Sequence, residues 1–193
     1  MRIIKYPHPT LRHKSKPLRR VDRELISIVR QMFDLMHEHR GVGLSANQVE
    51  LPYRLFILQL DKEGEQKGEE LVFINPVITQ RKGMIEQEEG CLSFPEIYAP
   101  VRRPERITIT AYNLAGQEVT YDVGGLFARA AQHEYDHLEG VLFIDRLSEA
   151  NRLKVKEALG DLVREFEGDR HRGLIPGDQR MAARLAELEQ LRT

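Results

Sequence analysis

The chain has 193 residues, 41% hydrophobic and 31% charged, with a formal net charge of −1. That length suits one good core in one domain, and the near-neutral balance argues against a general nucleic-acid binder. No stretch approaches the roughly 20 apolar residues that span a bilayer. The start shows no secretory or transit pattern, and the single cysteine, Cys91, leaves no internal disulfide and suits a reducing compartment. The expected location is the cytoplasm.

Residues 1–23 hold eight Lys or Arg against one acid, Asp22. They read as a solvated basic arm, with docking on RNA or an anionic surface as the alternative. Its prolines, Pro7, Pro9 and Pro17, keep the preceding residues extended or turning. Asp22 is placed to cap a helix with Leu25, Ile28, Val29, Met32, Leu35 and Met36 at helical spacing, closed by Gly41. His37 and His39 suit the end of that helix and need no metal. Residues 41–48, Gly-Val-Gly-Leu-Ser-Ala-Asn-Gln, let the backbone turn tightly and approach a ligand. Alone, the run fits a plain connecting loop as well as a site loop, and it lacks the third glycine of a dinucleotide fingerprint.

Residues 54–60 read as a strand and 61–70 as a polar loop with a mobile tip. A second strand over 71–74 is expected to end at Asn75-Pro76, with 77–79 able to resume at an edge. Glu86, Glu88 and Glu89 form an acidic cluster, paired or solvated, that leads into Gly90-Cys91-Leu92-Ser93. Residues 106–112 and 117–123 alternate as the strands of a hairpin. Gly124-Gly125 then break the strand, 126–138 form a helix ended by Gly140, and 141–144 lead back to the core.

Ser148 caps a long predicted helix over 149–167, with Leu153, the Lys156 stem, Leu159, Leu162, Val163 and Phe166 along one side. After Pro176-Gly177, residues 179–191 form a short amphipathic helix with Leu185, Leu188 and Leu191 in register. From residue 149 onward nine Lys or Arg balance nine Asp or Glu, so the tail is no basic RNA anchor. Packing on the body, dimerisation and docking on a ribosomal protein all stay open for it.

Chemistry concentrates in residues 132–138, Gln-His-Glu-Tyr-Asp-His-Leu. His133 and His137 stand four apart, so a helix presents both imidazoles on one face to a single metal ion. Glu134 follows the first histidine and can take a proton from water at such a site, which makes it a general-base candidate. Two histidines need a further protein ligand. Cys91, beside Gly90, is the candidate, although a lone cysteine is otherwise a buried small hydrophobe. The Leu92 N–H and the Gln48 side-chain amide are the nearest donors for a developing oxyanion.

Three blocks carry a resemblance to the peptide deformylases. Residues 41–48 resemble the family's Gly-x-Gly-x-Ala-Ala-x-Gln, Glu89-Gly90-Cys91-Leu92-Ser93 matches unchanged, and residues 132–138 match Gln-His-Glu-x-Asp-His-Leu. The resemblance covers about residues 1–165 and leaves the end of the chain outside it. It implies an α+β fold of short, mostly antiparallel sheets enclosing a central metal-binding helix, with an N-terminal helix and a long C-terminal helix. Residues 1–167 would form the catalytic domain and 168–193 a loop and short amphipathic helix.

The implied activity is hydrolysis of the N-formyl group from the initiator formyl-methionine of nascent polypeptides, with release of formate. Cys91, His133 and His137 would bind one divalent ion, natively Fe(II), with Zn or Ni able to occupy the site. Glu134 would act as general base and then general acid, and Gln48 with the Leu92 N–H would hold the oxyanion. Val42, Gly43 and Gly90 match positions that touch the substrate backbone or line its methionine pocket. The implied partners are formyl-methionyl nascent peptides, with transient ribosome association left open, and neither membrane nor sequence-specific nucleic acid. The rival readings are a small zinc peptidase with the same His-Glu-x-x-His, and an inactive deformylase-like binding protein.

Three side chains carry expectations of their own. Ser45 stands at the family's usual alanine, and its hydroxyl needs a partner if buried. Arg129, one turn before His133, is expected to snorkel outward rather than meet an acid or the substrate. Asp136 is expected to pair with Arg102, Arg103 or Arg106 and fix the helix, or else to be a plain surface carboxylate.

Overall fold

The structure is a computed structural model that describes residues 1–60 and 68–193. In chain order the elements are α1 (Arg23–Glu38), β1 (Gly43–Ser45), β2 (Leu55–Leu58), β3 (Leu71–Lys82), β4 (Ile85–Cys91), β5 (Phe94–Arg103), β6 (Arg106–Tyr112), β7 (Glu118–Gly124), α2 (Gly125–Leu138), α3 (Glu149–His171) and α4 (Asp178–Arg192). The fold is α+β. Strands β1-β2-β3-β6-β7, in that order, make an antiparallel sheet, and β4-β5 pair separately.

Helix α2 is the centre of the molecule because its residues are small where it meets the large sheet. Ala128, Ala130 and Ala131 let it settle against Phe56, Phe73, Ile107 and Ile109, and Phe56 stacks on Phe73 at 4.6 Å between ring centroids. At its end Gly140 adopts φ 71, and a Cβ there would lie 2.4 Å from the Arg12 carbonyl oxygen, so only glycine fits.

Helix α1 begins where the Asp22 carboxylate accepts from Leu25 N at 2.9 Å. It buries Leu25, Val29, Met32, Phe33 and Met36. Its left-handed closing residue is Arg40, at φ 55, rather than Gly41. Gly41 instead leaves room for a neighbouring side chain: a Cβ there would lie 2.7 Å from Leu92 Cδ1.

The basic arm is not free in solvent. Ile4 N donates to Gln48 O at 2.9 Å, Tyr6 N to Ser93 O at 3.0 Å, and Lys16 bridges Tyr53. Ile4, Leu11 and Leu18 anchor it by burial, while Arg12 pairs with Asp145 and Lys14 with Glu139.

Asn75-Pro76 bends β3 without ending it. The register shifts between Ile74 and Val77, which absorbs the proline's missing donor. Asn75, at φ 52, bonds through its amide to the Leu18 N and O, each at 2.8 Å. The expected loop at 61–70 falls on 61–67 outside the described residues.

Helix α3 runs through Gly168 to His171, past its expected end. Its buried face is Asn151, Val155, Leu162 and Phe166, and Leu153 is exposed instead. The tail packs on the body: Met181, Leu185 and Leu188 of α4 are buried, and Leu188 joins the core around Leu18, Leu25 and Tyr53. Leu191 is exposed and Arg192 takes the inward position expected of it. No helix among the described residues is long and apolar enough to cross a membrane.

Candidate active site

The sulfur of Cys91 and the two imidazoles arrive from different elements. Cys91 ends β4 after a register shift that follows Glu89, and the bare Gly90 before it is covered by the Tyr98 ring, whose Cε1 would lie 2.5 Å from a Cβ there. Successive turns of α2 supply His133 and His137, with ring centroids 5.1 Å apart. One donor atom from each of Cys91, His133 and His137 lies within 4.8 Å of the others, and Cys91 Sγ is 3.3 Å from His137 Nε2.

The electrostatics of this group suit a cation at its centre. Burial and then the neighbouring His133 push the His137 pKa well below its ordinary value, which keeps a neutral nitrogen free to coordinate. Burial works against a charge on His133, but its bonds to Cys91 and Glu89 outweigh this and raise its pKa to about 10. The two imidazoles are thus shifted in opposite directions, and a metal ion held here would displace the proton that His133 keeps. A soft sulfur with two imidazoles is a fitting donor set for a first-row divalent metal.

Beside this cluster, Gln48 sits in a short 3-10 turn after β1. Its Oε1 accepts from Ser45 N at 2.9 Å, so Nε2 faces Cys91 Sγ at 3.4 Å and Ser93 Oγ at 3.2 Å. Ser45 is fully buried and its hydroxyl has the partner it needs: Oγ lies 2.5 Å from Glu134 Oε2 and 3.0 Å from the Glu134 carbonyl oxygen. Glu134 Oε1 would lie 2.6 Å from a Cβ on Gly43, so that glycine leaves the carboxylate its place. Burial raises the Glu134 carboxyl above its ordinary value, with His133 and then Ser45 pulling it down.

Val42, Gly43, Gln48, Gly90, Cys91, Leu92, His133 and Glu134 all line one cavity of about 590 Å³, with Leu126 and Tyr98 at its exposed rim. His137 lies deeper. A hollow of about 310 Å³ between the N-terminal arm and α3 contains none of these residues.

Arg129 does not snorkel outward. It is buried, and its guanidinium donates to Glu89 Oε1 at 2.5 Å, to Gln87 Oε1 at 3.0 Å and to the carbonyls of Ile85 and Val101, each at 3.1 Å. The outward path is closed by the β4-β5 hairpin, whose carbonyls and acid offer better partners than the stem could reach in solvent.

Glu89, from the acidic cluster, is the hub. Arg103 grips it with two bonds, at 2.5 and 2.8 Å, and it reaches His133 Nδ1 at 3.1 Å. Burial opposes its ionisation, but His133 and Arg103 outweigh this and hold its pKa at about 2. Asp136 pairs with Arg103 at 2.7 Å, within the expected set, and also with Arg146 at 2.5 Å. Glu89, Arg146 and Ser93 are the supporting residues that sequence reasoning did not assign. For Glu89 and Ser93 the signal was present, since both lie in the unchanged Glu-Gly-Cys-Leu-Ser block.

The sequence model of the polypeptide deformylase family matches residues 1–153. The chain belongs to that family. It is 40% identical over 191 residues to a peptide deformylase of Rhodopirellula baltica, covering 99% of this chain and 94% of that one. It is 42% identical over 169 residues to the chloroplastic peptide deformylase 1B of Oryza sativa, covering 86% of this chain and 62% of the rice protein. The solved peptide deformylase 1B of Arabidopsis thaliana superimposes with a TM-score of 0.83 at 39% identity, over 92% of this chain and 97% of that one. The activity is that of a peptide deformylase, a hydrolase that removes the N-formyl group from nascent polypeptides. Family and donor cluster together support a single metal ion as cofactor. The Rhodopirellula match runs through α4, whereas the family model ends at residue 153.

Proposed function

We propose that Cys91, His133 and His137 hold the ion, that Glu134 is general base and then general acid, and that Gln48 and the Leu92 N–H hold the oxyanion as formyl-methionyl chains lose their formyl group. The observation that carries this reading is the Gln48 amide, whose donor end is turned to the Cys91 sulfur because its oxygen is engaged by Ser45. When bound, a divalent ion supplies Lewis acidity that acidifies water and polarises a carbonyl.

Glu134 takes a proton from the attacking water as the water oxygen bonds to the formyl carbon. It returns that proton to the amide nitrogen as the C–N bond breaks, and formate and a free amine leave. The burial that raises its carboxyl brings it nearer to the pKa range useful to a base at neutral pH. Negative charge gathers meanwhile on the formyl oxygen, within reach of Gln48 Nε2 and the Leu92 N–H.

The peptide backbone has two strand edges to join. Among the described residues β1 pairs only with β2, and β4 only with β5, and residues of both line the cavity. An extended chain between them would meet Val42, Gly43 and Gly90 along its backbone. Leu126 and Ala130 supply apolar wall for the methionine side chain.

The native ion in this reading is ferrous iron, with zinc or nickel able to replace it, since imidazole and thiolate serve all three. The substrate is met in the cytoplasm as chains leave the ribosome, through transient contact, because formyl-methionine opens a chain still being made.

The test is formate release from a formyl-Met dipeptide by protein purified anaerobically with ferrous iron, beside an acetyl-Met control and Glu134→Ala. Turnover confined to the formyl substrate and reduced about 10²–10⁴-fold in Glu134→Ala is expected. Equal turnover of the acetyl peptide, or none by metal-loaded protein, overturns the reading.

A further inference from the structure

Ser45 joins the two halves of the proposed chemistry. Its N–H donates to Gln48 Oε1 at 2.9 Å, and its hydroxyl lies 2.5 Å from Glu134 Oε2. The hydroxyl has one proton to give, and of its two acceptors the carboxylate is nearer than the Glu134 carbonyl oxygen at 3.0 Å. Bonds to an ionised acceptor are also the stronger kind.

The two carboxylate oxygens are therefore not equivalent. Oε2 is tied to Ser45 on the buried side, and Oε1 lies over Gly43, which lines the cavity and has no Cβ to displace it. A glutamate side chain has three rotatable bonds, and burial alone does not choose among its rotamers.

We propose that Ser45 is a positioning residue that fixes Glu134 so that Oε1, and not Oε2, exchanges the proton with substrate and water. This rests on Glu134 being the base. The backbone bond to Gln48 survives any substitution at Ser45 other than proline, so the hydroxyl can be removed without releasing the oxyanion donor. Alanine, the residue the family usually has at this position, would leave the carboxylate without this tether.

The experiment compares Ser45→Ala, Ser45→Thr, Glu134→Ala and the double variant Ser45→Ala/Glu134→Ala in steady-state assays, with metal content and melting temperature measured for each. For Ser45→Ala the proposal expects kcat to fall about tenfold, the value of one bond to a charged group, at unchanged KM. Metal content stays equal, Ser45→Thr restores the rate, and Ser45→Ala has no further effect once Glu134 is absent. A crystal structure of zinc-loaded Ser45→Ala should show the Glu134 carboxylate rotated from its place over Gly43.

Four outcomes overturn the proposal: an unchanged kcat in Ser45→Ala, an equal loss in Ser45→Thr, the same loss in the Glu134→Ala background, or a loss explained by metal content. Full turnover by Glu134→Ala would sink the base assignment itself. Loss in Glu134→Ala with none in Ser45→Ala would sink this proposal alone.

Discussion

Two parts of the molecule carry paired charges, and they use them oppositely. Around the Cys91–His133–His137 cluster, Glu89, Arg103, Arg129 and Asp136 are all buried and bonded to one another. Where α4 straps the N-terminal arm, the pairs are one-sided: Glu189 and Arg192 are buried, but their partners Lys16 and Glu24 are 60% and 77% exposed. The first set forms a closed network in which each member answers for the others, so loss of one strands the rest in a low-dielectric interior. The second set borders water, which replaces a missing partner cheaply. The contrast places rigidity where His133 must be oriented and leaves the strap to its apolar face.

The sharpest way to break the network is at its hub. Glu89→Gln removes the charge that Arg103, Arg129 and His133 share, and should lower stability by about 3–5 kcal/mol in urea unfolding. It should also weaken metal binding roughly 10- to 100-fold, because Glu89 orients His133 through Nδ1. The pH dependence has a definite sign. The Glu89 carboxyl is at about 2 in the folded chain against an ordinary value of 4.5, so the unfolded chain takes up the proton first. Its stabilisation is complete above about 4.5 and is lost as the pH falls through about 2. Glu89→Gln should lose less stability across that window than the parent chain, and an identical acid profile would contradict the hub role.

A smaller loss is expected on the rim of the same network. Arg129→Leu leaves Glu89 with Arg103 and His133 but abandons the Ile85 and Val101 carbonyls, so roughly 2–3 kcal/mol should go. Arg129→Lys should not restore it, because one ammonium cannot serve an acid and several carbonyls set around a planar fork. Michaelis constants for formyl peptides should change less than tenfold, since the guanidinium is engaged within the protein rather than held out for substrate. A larger change would return Arg129 to the substrate.

The same network marks the limit of what could be read from sequence. The motif residues, the Asp22 and Ser148 caps and the β6–β7 hairpin were legible because each is a local pattern. Strands β4 and β5 were not. The one buried position of β4 is Glu89, so that strand shows no apolar alternation, and in β5 the short alternation Ile97, Ala99, Val101 is flanked or broken by Pro95 and Pro100 and ends on the inward Arg103. Charges pointing inward make sense only once their partners are known, and Arg129 lies 40 residues away in sequence from Glu89. Leu153 and Leu191 mislead for the complementary reason: helical spacing identifies a possible face, but neighbouring elements decide which face is covered.

The strap provides the smallest effect and the control for the other two. Lys16 Nζ lies 2.6 Å from Glu189 Oε2 but remains 60% exposed, and Glu189 keeps His13 at 2.8 Å when the lysine is gone. Lys16→Ala should therefore cost less than about 1 kcal/mol, and most of that should vanish near 1 M salt, where the screening length falls to about 3 Å. The Arg129→Leu deficit should persist at the same salt, because its pairs are out of reach of mobile ions. If the Lys16 deficit instead matched that of Arg129 and resisted salt, the strap would be held by its charges. The apolar seam of Met181, Leu185 and Leu188 could then not be what fastens α4 to the body.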